Sequence, residues 1–235
     1  MNESPERRAK LLQVAAGAAF LALAVVIALI VVNASGGGDG GDTSLEGASE
    51  VNRSLQGIPQ EEMLLGDPEA PVELVEFGDL QCPYCAAYAG EILPPIIENQ
   101  VKKGQLKIDF RNFTIIGPDS AEAGAAALAA GVQGRGWNFV ELFYRNQGGE
   151  NEGYAADEAF LEAVAKGAGV KDLDRWNEDR ALKTAEVEET TAEAQQLGIE
   201  GTPTFAIRGP KTDGLEVIGT PDSTSALEEA IEGAR

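Results

Sequence analysis

Histidine is absent from all 235 residues. That removes imidazole general-base catalysis, Ser-His-Asp triads and most histidine-ligated zinc enzymes. Positive charge is scarce as well. Eighteen Lys and Arg face 39 Asp and Glu, for a formal net charge of -21. Such a surface repels phosphate, so nucleic acid is not an expected partner; the acidity serves solubility first. Cysteine occurs only at Cys82 and Cys85. A scaffold of structural disulfides is therefore excluded, and a chain of this length does not need one to bury a core. Either this pair carries the chemistry or the chain has no cysteine chemistry.

What is present begins with an apolar run. Residues 11–32 are apolar except for Gln13, and Arg7, Arg8 and Lys10 precede them. Twenty or so such residues span a bilayer. The next cation is Arg53, whereas Asp39, Asp42, Glu46 and Glu50 follow the run directly. This asymmetry keeps the N-terminus in the cytoplasm and exports the rest. Residues 1–34 read as a cytoplasmic stub with a transmembrane anchor; the competing reading is a signal peptide cut near Val32-Asn33-Ala34. No cysteine follows the run, which excludes lipoprotein processing. Either way the remainder sits outside the cytoplasm, in the compartment where disulfide chemistry belongs. Residues 35–56, rich in Gly, Ser and acid, read as a flexible linker. The folded domain is expected over 57–235.

Within that domain, Val72-Glu73-Leu74-Val75-Glu76-Phe77 predicts a strand covered on both faces. Residues 86–103 predict a helix interrupted at Pro94-Pro95, and 106–113 a second strand. A parallel crossover should join the two strands. Residues 118–198 then become rich in Ala and Glu. Helices are expected at 120–132, 138–146, 157–166 and 172–197, with Asp157 and Asp172 as N-caps and Gly167 and Gly198 as stops. The aromatic cluster Trp137, Phe139, Phe143 and Tyr144 reads as core. Strands return at 204–207 and 215–218 around a turn at 211–214, and a helix closes the chain at 223–232.

A Cys-x-x-Cys at a helix start has a physical purpose. The first sulfur lies against unpaired backbone N–H groups and the positive end of the helix dipole. Both favour thiolate, so Cys82 is the expected nucleophile. Pro83 suits the first helical position, where no hydrogen bond is forfeited. Cys85, one turn on, is placed to resolve a mixed disulfide. A single such pair is also half of a zinc site, but neither a second pair nor a histidine is available. Glu76 lies among apolar neighbours, where desolvation raises a carboxyl pKa and lets it exchange protons with Cys85; Glu73 reads as facing outward. In Gly201-Thr202-Pro203-Thr204, a proline opens a strand. A cis Thr202–Pro203 bond would fit there and present the Thr202 backbone beside the sulfurs.

Glu76-Phe77, then Cys82-Pro83-Tyr84-Cys85, a helical insert and Gly201-Thr202-Pro203-Thr204 together resemble the DsbA-like thiol-disulfide oxidoreductases. The resemblance covers residues 57–235. It implies an α/β thioredoxin fold with a helical domain inserted at about 118–198, preceded here by the transmembrane helix. It further implies that Cys82 is the reactive thiolate, Cys85 the resolving thiol and Glu76 the buried acid. Thr202 and Pro203 form the loop that holds substrate backbone, with Pro83 and Tyr84 beside it. No cofactor or metal is expected beyond the redox-active Cys82–Cys85 disulfide. The implied partners are exported protein thiols and a membrane thiol oxidase, DsbB-like or VKOR-like, acting on a monomer. The best-known oxidising members carry Pro-His between the cysteines, whereas Tyr84 offers no charge. A less depressed Cys82 pKa follows, with a potential between roughly -270 and -120 mV. A reductase or isomerase of the same fold is the runner-up, and a non-catalytic peptide- or metal-binding module the reading from another class.

Overall fold

The computed structural model describes residues 45–149 and 152–235. The expected anchor and signal-peptide readings fall on residues outside these. Among the described residues no helix is long and apolar enough to cross a membrane.

The first element is unexpected. Helix α1 (Ala48–Ser54) occupies part of the stretch assigned to a flexible linker. Its Val51 and the following Leu55 are buried, and the Asn52 amide donates to the Gly167 carbonyl at 2.8 Å. Two apolar residues four apart anchor a helix that the Gly-rich composition upstream conceals, so the ordered chain starts earlier than residue 57.

Two short strands follow, β1 (Gln60–Glu61) and β2 (Leu64–Leu65), then β3 (Val72–Gly78). Helix α2 (Pro83–Glu91) begins directly after the first cysteine, where the Cys-x-x-Cys motif and Pro83 place a helix start, three residues ahead of the stretch read as helix from 86. Pro83 occupies its first turn, where an absent N–H is harmless. The helix breaks at Ile92 and resumes as α3 (Leu93–Ile96) and a π-turn (Ile97–Val101). Pro94 and Pro95 are tolerated because they lie in the new first turn, whose N–H groups have no intrahelical partner. Strand β4 (Leu106–Asn112) pairs with β3 in parallel register, with Glu76 opposite Phe110.

The helical insert comprises α4 (Pro118–Gly131), α5 (Gly136–Arg145), a 3₁₀ turn (Tyr154–Ala156), α6 (Glu158–Ala168) and α7 (Leu173–Gln196). Asp157 and Asp172 cap α6 and α7 by accepting from the Phe160 and Arg175 N–H groups, at 2.8 and 3.0 Å. Gly198 follows α7 with φ +72°. Gly167 does not stop α6, which runs to Ala168 and ends at Gly169. A Cβ at Gly167 would stand 2.6 Å from Leu142 Cδ2, so this glycine serves close helix packing. The expected aromatic core is present. Phe143 meets Phe160 edge-on at 5.3 Å, and the Trp137 and Trp176 indoles donate to the Met63 and Ala126 carbonyls.

Strands β5 (Thr204–Arg208) and β6 (Glu216–Gly219) and helix α8 (Thr224–Ala234) complete the chain. The sheet order is β1-β2-β4-β3-β5-β6, with β3 central between parallel β4 and antiparallel β5. The sheet separates two cores. Val72 and Leu74 join the larger one, which also holds both cysteines, Tyr88 and the aromatic residues of α5. Val75 and Phe77 face the smaller one with Ala194 and Ile199. Side chains alternate along a strand, so Glu76 shares the face of Leu74 and points into the larger core. Glu73 lies on the other face and pairs with Arg208 at 3.1 Å.

Candidate active site

The reactive pair is built by the turn between β3 and α2. Cys82 is the N-cap of α2, with φ -77° and ψ 117°. Its sulfur therefore stands where a capping oxygen would and accepts the Cys85 N–H at 3.4 Å. Cys82 also donates to the Thr202 carbonyl at 3.3 Å. Both cysteines are free thiols, and both are buried within the fold, Cys82 at 4% exposure and Cys85 at 0%.

The two thiols are electrostatically unequal. The hydrogen bond from the Cys85 side chain is the largest influence on Cys82. Burial opposes it, but the Thr202 side chain and the Cys85 and Tyr84 N–H groups reinforce it, and Cys82 falls to about 6. Cys85 moves the other way. Burial pushes its thiol well above the ordinary range, and the Cys82 hydrogen bond and the charges of Cys82 and Glu76 add to the rise.

Glu76 is 1% exposed and its Oε1 has no hydrogen-bond partner. Burial first, then the neighbouring Glu141 carboxylate and the Cys82 thiolate, raise it to about 8. At neutral pH it is an acid holding its proton, next to a thiol that must gain and lose one. Burial raises both nearby phenols, Tyr88 with help from the charges of Glu76 and Asp222, and Tyr144, whose hydroxyl donates to the Asp79 carbonyl at 3.3 Å, with help from those of Cys85, Glu76, Asp79 and Cys82.

The loop before β5 meets the pair. The Thr202–Pro203 peptide is cis. Pro203 is buried, and its carbonyl accepts from the Thr220 hydroxyl. Thr202 is half-buried against Cys82, while Pro83 and Tyr84 are exposed, Tyr84 at 76%. The sequence-predicted residues Cys82, Cys85, Glu76, Thr202, Pro203, Pro83 and Tyr84 thus converge on one end of the sheet.

Three contributors escape a sequence reading. Asp79 is fully buried without a cation; its Oδ1 accepts the Gln81 N–H, and its Oδ2 accepts those of Ile115 and Ile116 at 2.9 and 3.0 Å. It ties the turn carrying Cys82 to the loop after β4. Gln147 donates to the Leu80 and Cys82 carbonyls at 2.7 and 3.1 Å, which clamps the same turn from the insert. Glu141, half-buried on α5, is raised to about 7 by burial, with Arg145 partly offsetting. Only Glu141 left a trace in the sequence, as one acid inside the apolar run from Trp137 to Tyr144.

This arrangement can perform thiol-disulfide exchange: a stabilised thiolate, a protonated partner thiol and a neutral acid, beside the Thr202 carbonyl of the cis loop. Comparison with known proteins agrees. The thioredoxin family profile matches residues 59–232. A probable disulfide bond formation protein D of Bacillus cereus is 32% identical over 172 residues, covering 72% of this chain and 76% of that protein. The crystal structure of oxidised BdbD from Bacillus subtilis superposes with a TM-score of 0.63 at 26% identity, over 74% of this chain and 96% of that one. A thioredoxin-like oxidoreductase from Silicibacter pomeroyi gives 0.58 at 30%, over 73% and 91%. The chain belongs to the DsbA-like thiol-disulfide oxidoreductases of the thioredoxin family, and its activity is protein dithiol-disulfide exchange.

Proposed function

We propose that this protein is a membrane-tethered, extracytoplasmic donor of disulfides to exported proteins, working as a monomer through Cys82 and Cys85. The observation that carries this reading is the opposite displacement of the two thiols. A depressed Cys82 pKa stabilises the reduced dithiol, which makes the disulfide the more oxidising form.

A substrate thiolate attacks Cys82 Sγ of the Cys82–Cys85 disulfide. A substrate–Cys82 bond forms, the Cys82–Cys85 bond breaks, and Cys85 leaves. Its pKa is high, so it needs a proton, and the neutral Glu76 carboxyl supplies one. A second substrate thiolate then attacks the substrate sulfur of the mixed disulfide, and Cys82 departs as the thiolate it prefers to be. The substrate loses two electrons and the protein dithiol gains them. Thr202, Pro203, Pro83 and Tyr84 hold the substrate chain during both attacks. A membrane thiol oxidase, DsbB-like or VKOR-like, takes the electrons onward, and no other cofactor enters. The apolar run at residues 11–32 with its flanking charges supports the tether.

The test is the redox equilibrium of the pair across a glutathione series, read by thiol alkylation. A potential well above about -200 mV supports the donor, and one near the roughly -270 mV of thioredoxin reverses the electron flow and makes the protein a reductase.

A further inference from the structure

A polar cavity lies away from the dithiol. It has a volume of about 650 Å³ and shares no lining residue with the site of Cys82. Three elements form its wall: α1 with the turn after it, the α4–α5 connection and the α6–α7 connection. They contribute Arg53, Arg135 and Lys171 respectively. In a chain with 39 acidic residues, no Asp or Glu lines this cavity.

The three cations share one wall and have no counter-charge on it. Among the described residues, most other Lys and Arg side chains hold a carboxylate. Among the described residues Arg53, Arg135 and Lys171 form no such pair, and of the other cations only Lys103, Lys107 and Lys211, which do not line the cavity, share that state. Like charges gathered without counter-charges repel, and acidic side chains were plentiful enough to neutralise them.

The wall is also fixed in place. Asn52, beside Arg53, donates to the Gly167 carbonyl and accepts from Asn138 Nδ2 at 2.9 Å. Asn138 accepts from Gln60 Nε2 at 2.7 Å. Gln133 Oε1 accepts the Lys171 and Asp172 N–H groups at 3.2 and 3.0 Å, and its Nε2 donates to the Asp172 carbonyl at 2.7 Å. These neutral amides tie the three elements together and leave the cationic groups uncommitted. A rigid frame reduces the entropy lost on binding.

We infer that this cavity is a binding site for a small, multiply charged phosphate anion, held by Arg53, Arg135 and Lys171. Planar guanidinium groups bind phosphate oxygens in pairs, and the Lys ammonium adds a point charge. The volume admits a pyrophosphate or a phosphomonoester. The net negative charge does not forbid this, because salt screens charges beyond about 8 Å while the three cations would touch the ligand. This site is independent of the dithiol reading.

The test is calorimetric titration of the full chain with pyrophosphate at low and raised salt. Saturable binding at one site, weakened by salt, is expected. In the variant R53Q/R135Q/K171Q the affinity should fall by about tenfold or more, the scale of losing charge-assisted hydrogen bonds. Circular dichroism and the glutathione equilibrium of the dithiol should stay as in the parent, which shows that the variant is folded. R135Q alone should give a smaller loss of the same sign. Absence of saturable binding, or equal affinity in the folded triple variant, overturns the site. Glycerophosphoglycerol, a phosphodiester with the chemistry of a lipid headgroup, should bind more weakly than pyrophosphate. If it binds as tightly, the assignment to a multiply charged anion is wrong.

Discussion

The Cys85 N–H reaches the Cys82 sulfur at 3.4 Å, and the two thiols one helical turn apart are driven in opposite directions, Cys82 down to about 6 and Cys85 far up. Alkylation of the reduced protein reads this directly. At pH 7, iodoacetamide should modify Cys82 alone, with a rate that titrates near pH 6. In Cys85→Ser the titration should move upward, because the Cys85 side chain is the largest influence on Cys82, yet stay below the ordinary value of about 8.5. Equal modification of both thiols would contradict this account.

Glu76 links the site to stability. Its folded pKa, about 8, lies above the ordinary carboxylate value, so the neutral form is favoured in the fold. The stability this confers is present below about pH 4.3 and is lost as pH rises through the folded value. Glu76→Gln keeps a neutral side chain at every pH. The variant should match the parent near pH 4 and exceed it at pH 9, by an amount on the order of 2–4 kcal/mol. Denaturant melts at the two pH values check the sign. The same variant cannot pass a proton to Cys85, so reduction of its disulfide by a peptide thiol should slow by about 10²-fold or more. A variant that loses stability at pH 9, or keeps the parent rate, removes Glu76 from the relay.

Glu141 lies close enough to Glu76 that its charge adds to the rise that burial gives the Glu76 carboxyl. Glu141→Gln removes that charge. The Glu76 carboxyl should then titrate at lower pH, visible in its ¹³C resonance. The basic limb of the exchange-rate profile should shift the same way, since Glu76 gives up its proton sooner. A Glu76 titration left unchanged by the substitution would show that the two groups do not communicate.

The dithiol and its strand are legible in the sequence because each signal is local. Alternation puts Glu76 on the face of Leu74, and the cysteine spacing with Pro83 marks a helix start. Asp157 and Asp172 are equally local and cap the helices expected of them. The rest depends on distant partners. Asp79 acquires its purpose from the Ile115 and Ile116 amides, and Gln147 from the carbonyls of Leu80 and Cys82. Neither leaves a pattern in its own neighbourhood. Gly167 reads as a helix stop until Leu142 is seen against it.

Helix α1 is the remaining case, and it makes a prediction about where the domain begins. A boundary drawn from composition falls at residue 57 and discards Val51 and Leu55, both buried. It also discards Asn52, which joins α1 to the Gly167 carbonyl and to Asn138. Burying a Val or Leu side chain contributes about 1.5–3 kcal/mol. Removing both, and leaving Asn138 Nδ2 without its acceptor, should destabilise the domain by several kcal/mol, on the order of 3–6. A fragment of residues 57–235 should therefore melt well below one of residues 45–235. The dithiol itself should be little affected, since α1 packs on the insert and contributes nothing to the turn that carries Cys82. Thermal melts of the two fragments, with the Cys82 alkylation profile measured below both transitions, separate these effects. Equal melting temperatures would mean that α1 rests on the domain without supporting it.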